Sequence, residues 1–180
     1  MVDRVDRPVE QLVDEILVMD SQRGSVKALE ILVSRWQKRL WQYAYNLTGN
    51  ADASWDITQD SWLGIIKGLR KLQDPARFKA WAYRITTNKS IDWIRKSKAV
   101  KRVSLEEIQE RQSSRKKDSG VKELLEKLDI EKKVVLSLYY FEQLTVPEIS
   151  VALKIPKGTV KSRLYSARRE FKELYQKHFE

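Results

Sequence analysis

The sequence predicts an all-α fold of two small helical domains joined by a flexible linker. Apolar residues recur every three or four positions almost throughout, nothing alternates at period two for long enough to be a strand, and residues 109 to 120 carry no apolar side chain. A polar stretch of that length is uncommon inside a compact domain. It divides the chain into an N-terminal arm (residues 1 to 23), a first domain (24 to 98), a linker (99 to 120) and a second domain (121 to 180).

The first domain opens on a stripe of Val26, Leu29, Val33, Trp36, Leu40, Ala44 and Leu47, which Gly49 and Asn50 stop. A second stripe of Trp55, Trp62, Ile65, Ile66, Leu69 and Leu72 ends before Asp74 and Pro75. A third begins near Phe78 and continues through Trp81, Ile85, Ile91, Trp93 and Ile94. This makes a bundle whose core uses much of the chain's tryptophan. In the second domain Leu124, Leu125 and Leu128 predict one short helix, and Val134, Val135, Leu138, Tyr139 and Phe141 the next. Thr145, Val146, Pro147 and Glu148 read as a capping box with proline in the tolerant first turn. The short helix so started uses Ile149, Ala152 and Leu153, and after Pro156 a longer one buries Val160, Leu164, Ala167, Phe171 and Leu174.

Composition narrows the chemistry. The 180 residues hold no Cys and one His, which excludes disulfides, thiolate nucleophiles, Cys-containing metal sites and histidine triads. Catalysis by carboxylate, Lys or Tyr stays open. No apolar run approaches the ~18 residues of a membrane span, and the polar start, with both charge signs, is unlike a signal peptide, so the expected location is cytoplasmic. The net charge of +10 points to a polyanionic partner, nucleic acid ahead of an anionic membrane surface. That charge is concentrated. Residues 71 to 103 hold ten basic groups against Asp74 and Asp92, and residues 152 to 180 hold eight against Glu170, Glu173 and Glu180, whereas residues 1 to 30 are net −3.

Three clusters are candidate sites. In the first basic segment Arg70, Lys71, Arg77, Lys79, Arg84, Lys89, Arg95, Lys96 and Lys98 interleave with Trp81, Tyr83 and Trp93. Single-stranded nucleic acid binding uses that mixture, because cations track phosphates while aromatic faces take unstacked bases. Trp81 lies on the apolar stripe and is read as core. In the second, a short helix, a turn and a longer helix exposing Lys157, Thr159, Lys161, Ser162, Arg163, Ser166 and Arg169 form a helix-turn-helix pattern, whose second helix enters a DNA major groove. The third cluster is acidic: Asp52, Asp56 and Asp60 lie four apart, beside Gln59. At ~6 Å per step on one straight rod they cannot converge on a cation unaided. A solvated face fits them better.

These residues resemble bacterial sigma factors of the extracytoplasmic-function (ECF) type, which keep only the second and fourth conserved regions. The likeness is carried by Asp56, Ile57, Thr58, Gln59 and Asp60, by Phe78 to Trp81 with Tyr83, Arg84, Ile85 and Asn88, and by Gly158 to Arg163. It covers residues 24 to 98 and 121 to 176. It implies a helical bundle of sigma region 2 and a helix-turn-helix domain of sigma region 4, no catalytic residue, no metal and no cofactor.

By the same resemblance Asp56, Gln59 and Asp60 bind core RNA polymerase. The loop from Leu72 to Arg77 holds a base flipped from the minus-ten element, and Lys79, Tyr83, Arg84, Asn88, Asp92, Arg95 and Lys96 serve the same melted DNA. Lys157, Thr159, Lys161, Ser162, Arg163 and Arg168 meet the minus-thirty-five element. Lys161 stands where arginine is frequent and Ser166 where a further arginine often sits; lysine lacks the bidentate fork that suits guanine. The expected partners are core polymerase and promoter DNA, as duplex and melted strand. The protein is expected to be a monomer when free, with an inhibitory anti-sigma protein as a further partner that family members often have. Two other readings are a dimeric helix-turn-helix regulator, its dimer surface in the first domain, and a magnesium-dependent carboxylate enzyme acting on nucleic acid.

Overall fold

The structure, a computed structural model, describes residues 9–104 and 120–179. Among these residues it is helical throughout. Helices α1 (Val9–Gln22), α2 (Val26–Thr48), α3 (Ala51–Leu69) and α4 (Phe78–Ser104) form the first bundle, and a 3-10 turn over Pro75–Arg77 leads into α4. Helices α5 (Gly120–Glu126), α6 (Ile130–Leu136), α7 (Val146–Leu153) and α8 (Lys157–Phe179) form the second unit, with a π-helical turn over Ser137–Phe141 after α6. The expected linker, 99 to 120, lends its first six residues to α4 and its last to α5; the rest of it lies outside the described residues.

The helix boundaries follow local chemistry. The Ser25 side chain accepts from the Ala28 amide at 3.2 Å and starts α2. Gly49 ends it in the left-handed region, φ 64°, its amide bonding the Tyr45 carbonyl. Asn50 caps α3 by accepting from Ala53 at 2.9 Å. The capping box at α7 is complete, since the Thr145 hydroxyl accepts from the Glu148 amide while the Glu148 carboxylate accepts from the Thr145 amide at 2.7 Å.

Helix α1 is an addition to the sequence reading, which left residues 1 to 23 as an arm. Leu17 and Val18 are buried against the bundle, and the buried Asp14 carboxylate takes the Arg35 guanidinium at 2.9 Å. The Gln22 amide donates to the carbonyls of Leu69 and Leu72 at 2.9 and 2.7 Å and ties the end of α1 to the end of α3. Helices α3 and α4 bury an unusual number of small polar side chains: Ser54, Thr58, Ser61, Thr86, Thr87 and Ser90. The hydroxyls from Thr58 to Ser90 each bond the carbonyl four residues back, as Thr58 does at 2.6 Å, so none reaches for water. Small side chains let the rods approach. A Cβ on Gly68 would stand 2.8 Å from the Trp81 ring.

Trp36 anchors the first core, edge-on to Phe78 at 5.3 Å and to Tyr83 at 5.8 Å. Tyr43 packs edge-on to Tyr83 at 5.1 Å, and its hydroxyl bonds the Thr87 hydroxyl at 2.7 Å. The buried apolar cluster continues from this bundle into Leu125, Leu128, Val134 and Val135 of the second unit, so the two units pack on each other. Polar bonds cross the seam as well. The Lys133 ammonium donates to the Leu47 carbonyl at 3.0 Å, and the Tyr83 hydroxyl donates to the Glu142 carboxylate.

Candidate nucleic-acid interface

Three exposed faces carry the candidate residues. On α3, Asp52, Asp56, Gln59 and Asp60 are all exposed, and Asp60 receives the Lys89 ammonium from α4 at 3.6 Å. The same side of the rod exposes Trp55, Leu63 and Ile66. This corrects the sequence reading, which counted Trp55 and Ile66 in the buried stripe. Helical spacing is satisfied by either face, and the real inner face is completed by Ser54, Thr58 and Ser61, which read as polar. Trp55 leans on Trp41 at 5.7 Å, and Trp41 stacks on Tyr45 at 5.3 Å with the planes 7° apart. The face is therefore apolar and acidic together. Among the described residues no group of His, Asp or Glu side chains is arranged to hold a metal ion.

On α4 the minus-ten candidates divide. Arg84, Asn88, Asp92 and Arg95 follow each other at four, four and three residues and form one outward face, extended by Lys96. Asn88, Asp92, Arg95 and Lys96 are exposed, and Arg84 is half-buried. Tyr83 and Lys79 lie on the other side, at the seam. In the packed arrangement the Tyr83 ring is only 2% exposed, edge-on to Trp36 and Tyr43, so it offers no stacking face to a base there, unlike the expectation for this residue. Lys79 is half-buried, with its ammonium 3.5 Å from the Gln143 carbonyl. Arg77 is exposed on the 3-10 turn and paired with Asp74 at 3.3 Å. Of the other aromatics in this segment, Trp81 packs against the core, as read from its stripe, and Trp93 is half-exposed.

The seam perturbs its own titratable groups. Burial pushes the Glu142 carboxyl up, while its bond from Tyr83 and the charges of Lys79 and Arg39 pull the other way. Burial, then the adjacent Glu142, holds the Tyr83 hydroxyl far above tyrosine's ordinary value, and burial does the same to Tyr43.

On α8, Lys157, Lys161 and Ser162 are exposed near the helix start, with Thr159 half-exposed and its carbonyl accepting from the Ser162 hydroxyl at 3.0 Å. Tyr165, missed in the sequence reading, is 69% exposed one turn beyond Lys161 and Ser162. Its spacing of four and three from those residues was the available signal. Arg163, expected as an outward base reader, is turned toward α6 in this structure. It is half-buried, and its guanidinium is paired with Glu131 of α6 at 2.9 Å. Arg168 is exposed and lies over Tyr139 and Tyr140, at 5.2 and 5.5 Å from the ring centres.

With this geometry in place, the chain matches two family models in order: sigma-70 region 2 over residues 32–100 and sigma-70 region 4 over residues 120–171. Among curated proteins it is similar to the ECF RNA polymerase sigma factor SigE of Mycolicibacterium smegmatis, 27% identical over 87% of this chain and 65% of that protein's length. It is also similar to the RNA polymerase sigma factor SigV of Bacillus subtilis, 27% identical over 81% of this chain and 90% of that one. Among solved structures it is similar to CnrH in complex with the cytosolic domain of CnrY, with a TM-score of 0.72, 26% identity, and coverage of 91% of this chain and 97% of that one.

Proposed function

Since this chain belongs to the ECF-type RNA polymerase sigma factors, a non-enzymatic family that confers promoter-specific initiation on RNA polymerase, we propose a division of that work among the three exposed faces. The α3 face, with Asp56, Gln59 and Asp60 around Leu63 and Ile66, docks on core polymerase. The outward face of α4, with Arg84, Asn88, Asp92, Arg95 and Lys96, takes the melted minus-ten strand, and Arg77 stands beside the loop that receives a flipped base. The start of α8 reads the minus-thirty-five element through Lys157, Thr159, Lys161 and Ser162.

The physical case rests on capture. Unstacking a base costs a few kcal/mol, and several cations placed along one exposed helix face can offset it through phosphate contacts. The single observation that carries the reading is the order of the two matched regions over helices whose exposed faces are cationic on α4 and α8 and apolar-acidic on α3.

Elements at minus ten and minus thirty-five lie about 25 base pairs apart, which is about 85 Å at ~3.4 Å per pair. A compact body of 180 residues has a radius of gyration of only about 16 Å, too small to span that distance while the two units stay packed, so the packed arrangement belongs to the free protein and opens when polymerase is bound. An anti-sigma partner would act on the free form. No described helix is long and apolar enough to cross a membrane; polymerase as partner sets the working location in the cytoplasm.

The test is run-off transcription by core polymerase with this chain, on one promoter with intact, minus-ten-scrambled or upstream-scrambled DNA. The proposal expects both scrambled templates to lose the transcript. Equal transcription from all three would refute it.

A further inference from the structure

We infer that Tyr139 and Tyr140 are positioning residues that aim the Arg168 guanidinium at a phosphate of the upstream promoter duplex. The inference rests on the proposed reading of α8 as the upstream DNA helix. Its basis is how two arginines of α8 are held. Arg163 is paired with a carboxylate, Glu131 at 2.9 Å, which cancels its charge locally. Arg168 is held without an acid. Its Nε donates to the Tyr140 hydroxyl at 2.8 Å, and the guanidinium carbon lies over both rings, which are themselves edge-on at 5.0 Å.

This arrangement fixes the arginine's direction and keeps its charge. A guanidinium has five N–H donors, and Nε takes the tyrosine; the two Nη groups have no hydrogen bond among the described residues and keep the paired geometry that suits phosphate. Stacking on two rings also removes, before any DNA arrives, part of the ~2 kcal/mol of rotamer entropy that a free arginine side chain carries. The position on the helix argues for phosphate rather than base. Arg168 lies eleven residues past Lys157, about 16 Å along the axis at ~1.5 Å per residue, whereas base edges are met by the first turns of a recognition helix.

The test is binding of the reconstituted holoenzyme, core polymerase plus the full chain, to a promoter duplex over a series of salt concentrations. One phosphate contact adds about 0.9 to the log–log salt slope, or ~8-fold in affinity for each tenfold drop in salt. Arg168→Ala should lose that slope and about that affinity at low salt. Tyr140→Phe keeps the ring and the charge but removes the hydroxyl. It should weaken binding ~2- to 3-fold, as expected for one modest hydrogen bond, with the slope unchanged and no further effect in the Arg168→Ala background.

Tyr140 is 54% exposed, so the phenylalanine variant folds, and an unchanged melting curve confirms it. The inference is overturned if Tyr140→Phe is neutral while Arg168→Ala is costly, or if it costs the same with and without Arg168. If Arg168→Ala changes neither affinity nor slope while transcription stays normal, this inference fails alone. If the holoenzyme finds no promoter at all, the reading beneath it fails.

Discussion

Replacing Lys133 by methionine asks whether the two units hold each other. Lys133 is 7% exposed, and its ammonium donates at 3.0 Å to the Leu47 carbonyl near the C-terminus of α2, where helix carbonyls lack intrahelical partners. Methionine keeps most of the stem but leaves that buried carbonyl without this donor, at a cost of about 1–3 kcal/mol. Losing a cation from a helix C-terminus adds about 0.3–1 kcal/mol. Against this, the variant no longer desolvates an ammonium, so a net loss of about 1–2 kcal/mol is expected, a 5- to 30-fold shift in the packing equilibrium. The chain has no cysteine, so dyes on Lys67→Cys and Lys172→Cys report the separation of α3 and α8 without background labelling. In a denaturant titration the variant should separate at a lower midpoint than the parent while helical signal persists. Lys132→Met is the control, since Lys132 bonds Asp129 and Glu170 within the second unit. Coincident midpoints for parent and Lys133→Met would refute the reasoning.

The seam also has a pH dependence. The Glu142 carboxyl is raised above its ordinary value by burial, so the packed arrangement binds its proton more tightly than the separated one; packing is favoured below the ordinary carboxyl range and weakens as pH rises through the raised value. Glu142→Gln should remove that dependence and pack at least as firmly at neutral pH, read by the same dye pair; an unaltered pH profile would sink the assignment. On α3, Asp60→Lys and Leu63→Asp change exposed side chains and should leave helical content intact while weakening retention on core polymerase by about 5- to 30-fold, the effect of losing 1–2 kcal/mol at an interface hot spot. An unchanged pull-down would count against the docking face. On α8, Lys161→Ala should cost about 1–3 kcal/mol of discrimination among single-base variants of the upstream element. Arg163→Ala should cost less, because its half-buried guanidinium is turned to Glu131. The reverse ranking in a competition assay would restore Arg163 as a base reader.

Much of this was legible in the sequence because the signals were local. Gly49 and Asn50 mark a helix junction by backbone freedom and side-chain capping, and Thr145 with Glu148 closes a capping box, each within four residues. Helix α1 was not legible, because its inner face is short and includes the charged Asp14, while Leu12 and Ile16 point outward and blur the period. The inner faces of α3 and α4 escaped for a related reason: Thr58, Ser61, Thr86 and Ser90 are polar by type, yet each satisfies its hydroxyl within its own helix and packs as a small residue.

The candidate sites were legible in residue type, but not in the direction that Tyr83 and Arg163 take in this structure. Nothing local distinguishes an aromatic beside cations that stacks a base from one that fills a core. Trp36 and Tyr43, which pack edge-on against Tyr83, are 47 and 40 residues away. The partner that turns Arg163 aside, Glu131, is 32 residues away on another helix.

The most direct measurement is the map of transcript starts made by purified core polymerase on a genomic DNA library, with and without this protein. The account predicts starts that depend on the protein and share two upstream elements, and that vanish when Asp60→Lys and Leu63→Asp are combined. The same starts with and without it, together with tight duplex binding by the protein alone as a dimer, would contradict the account.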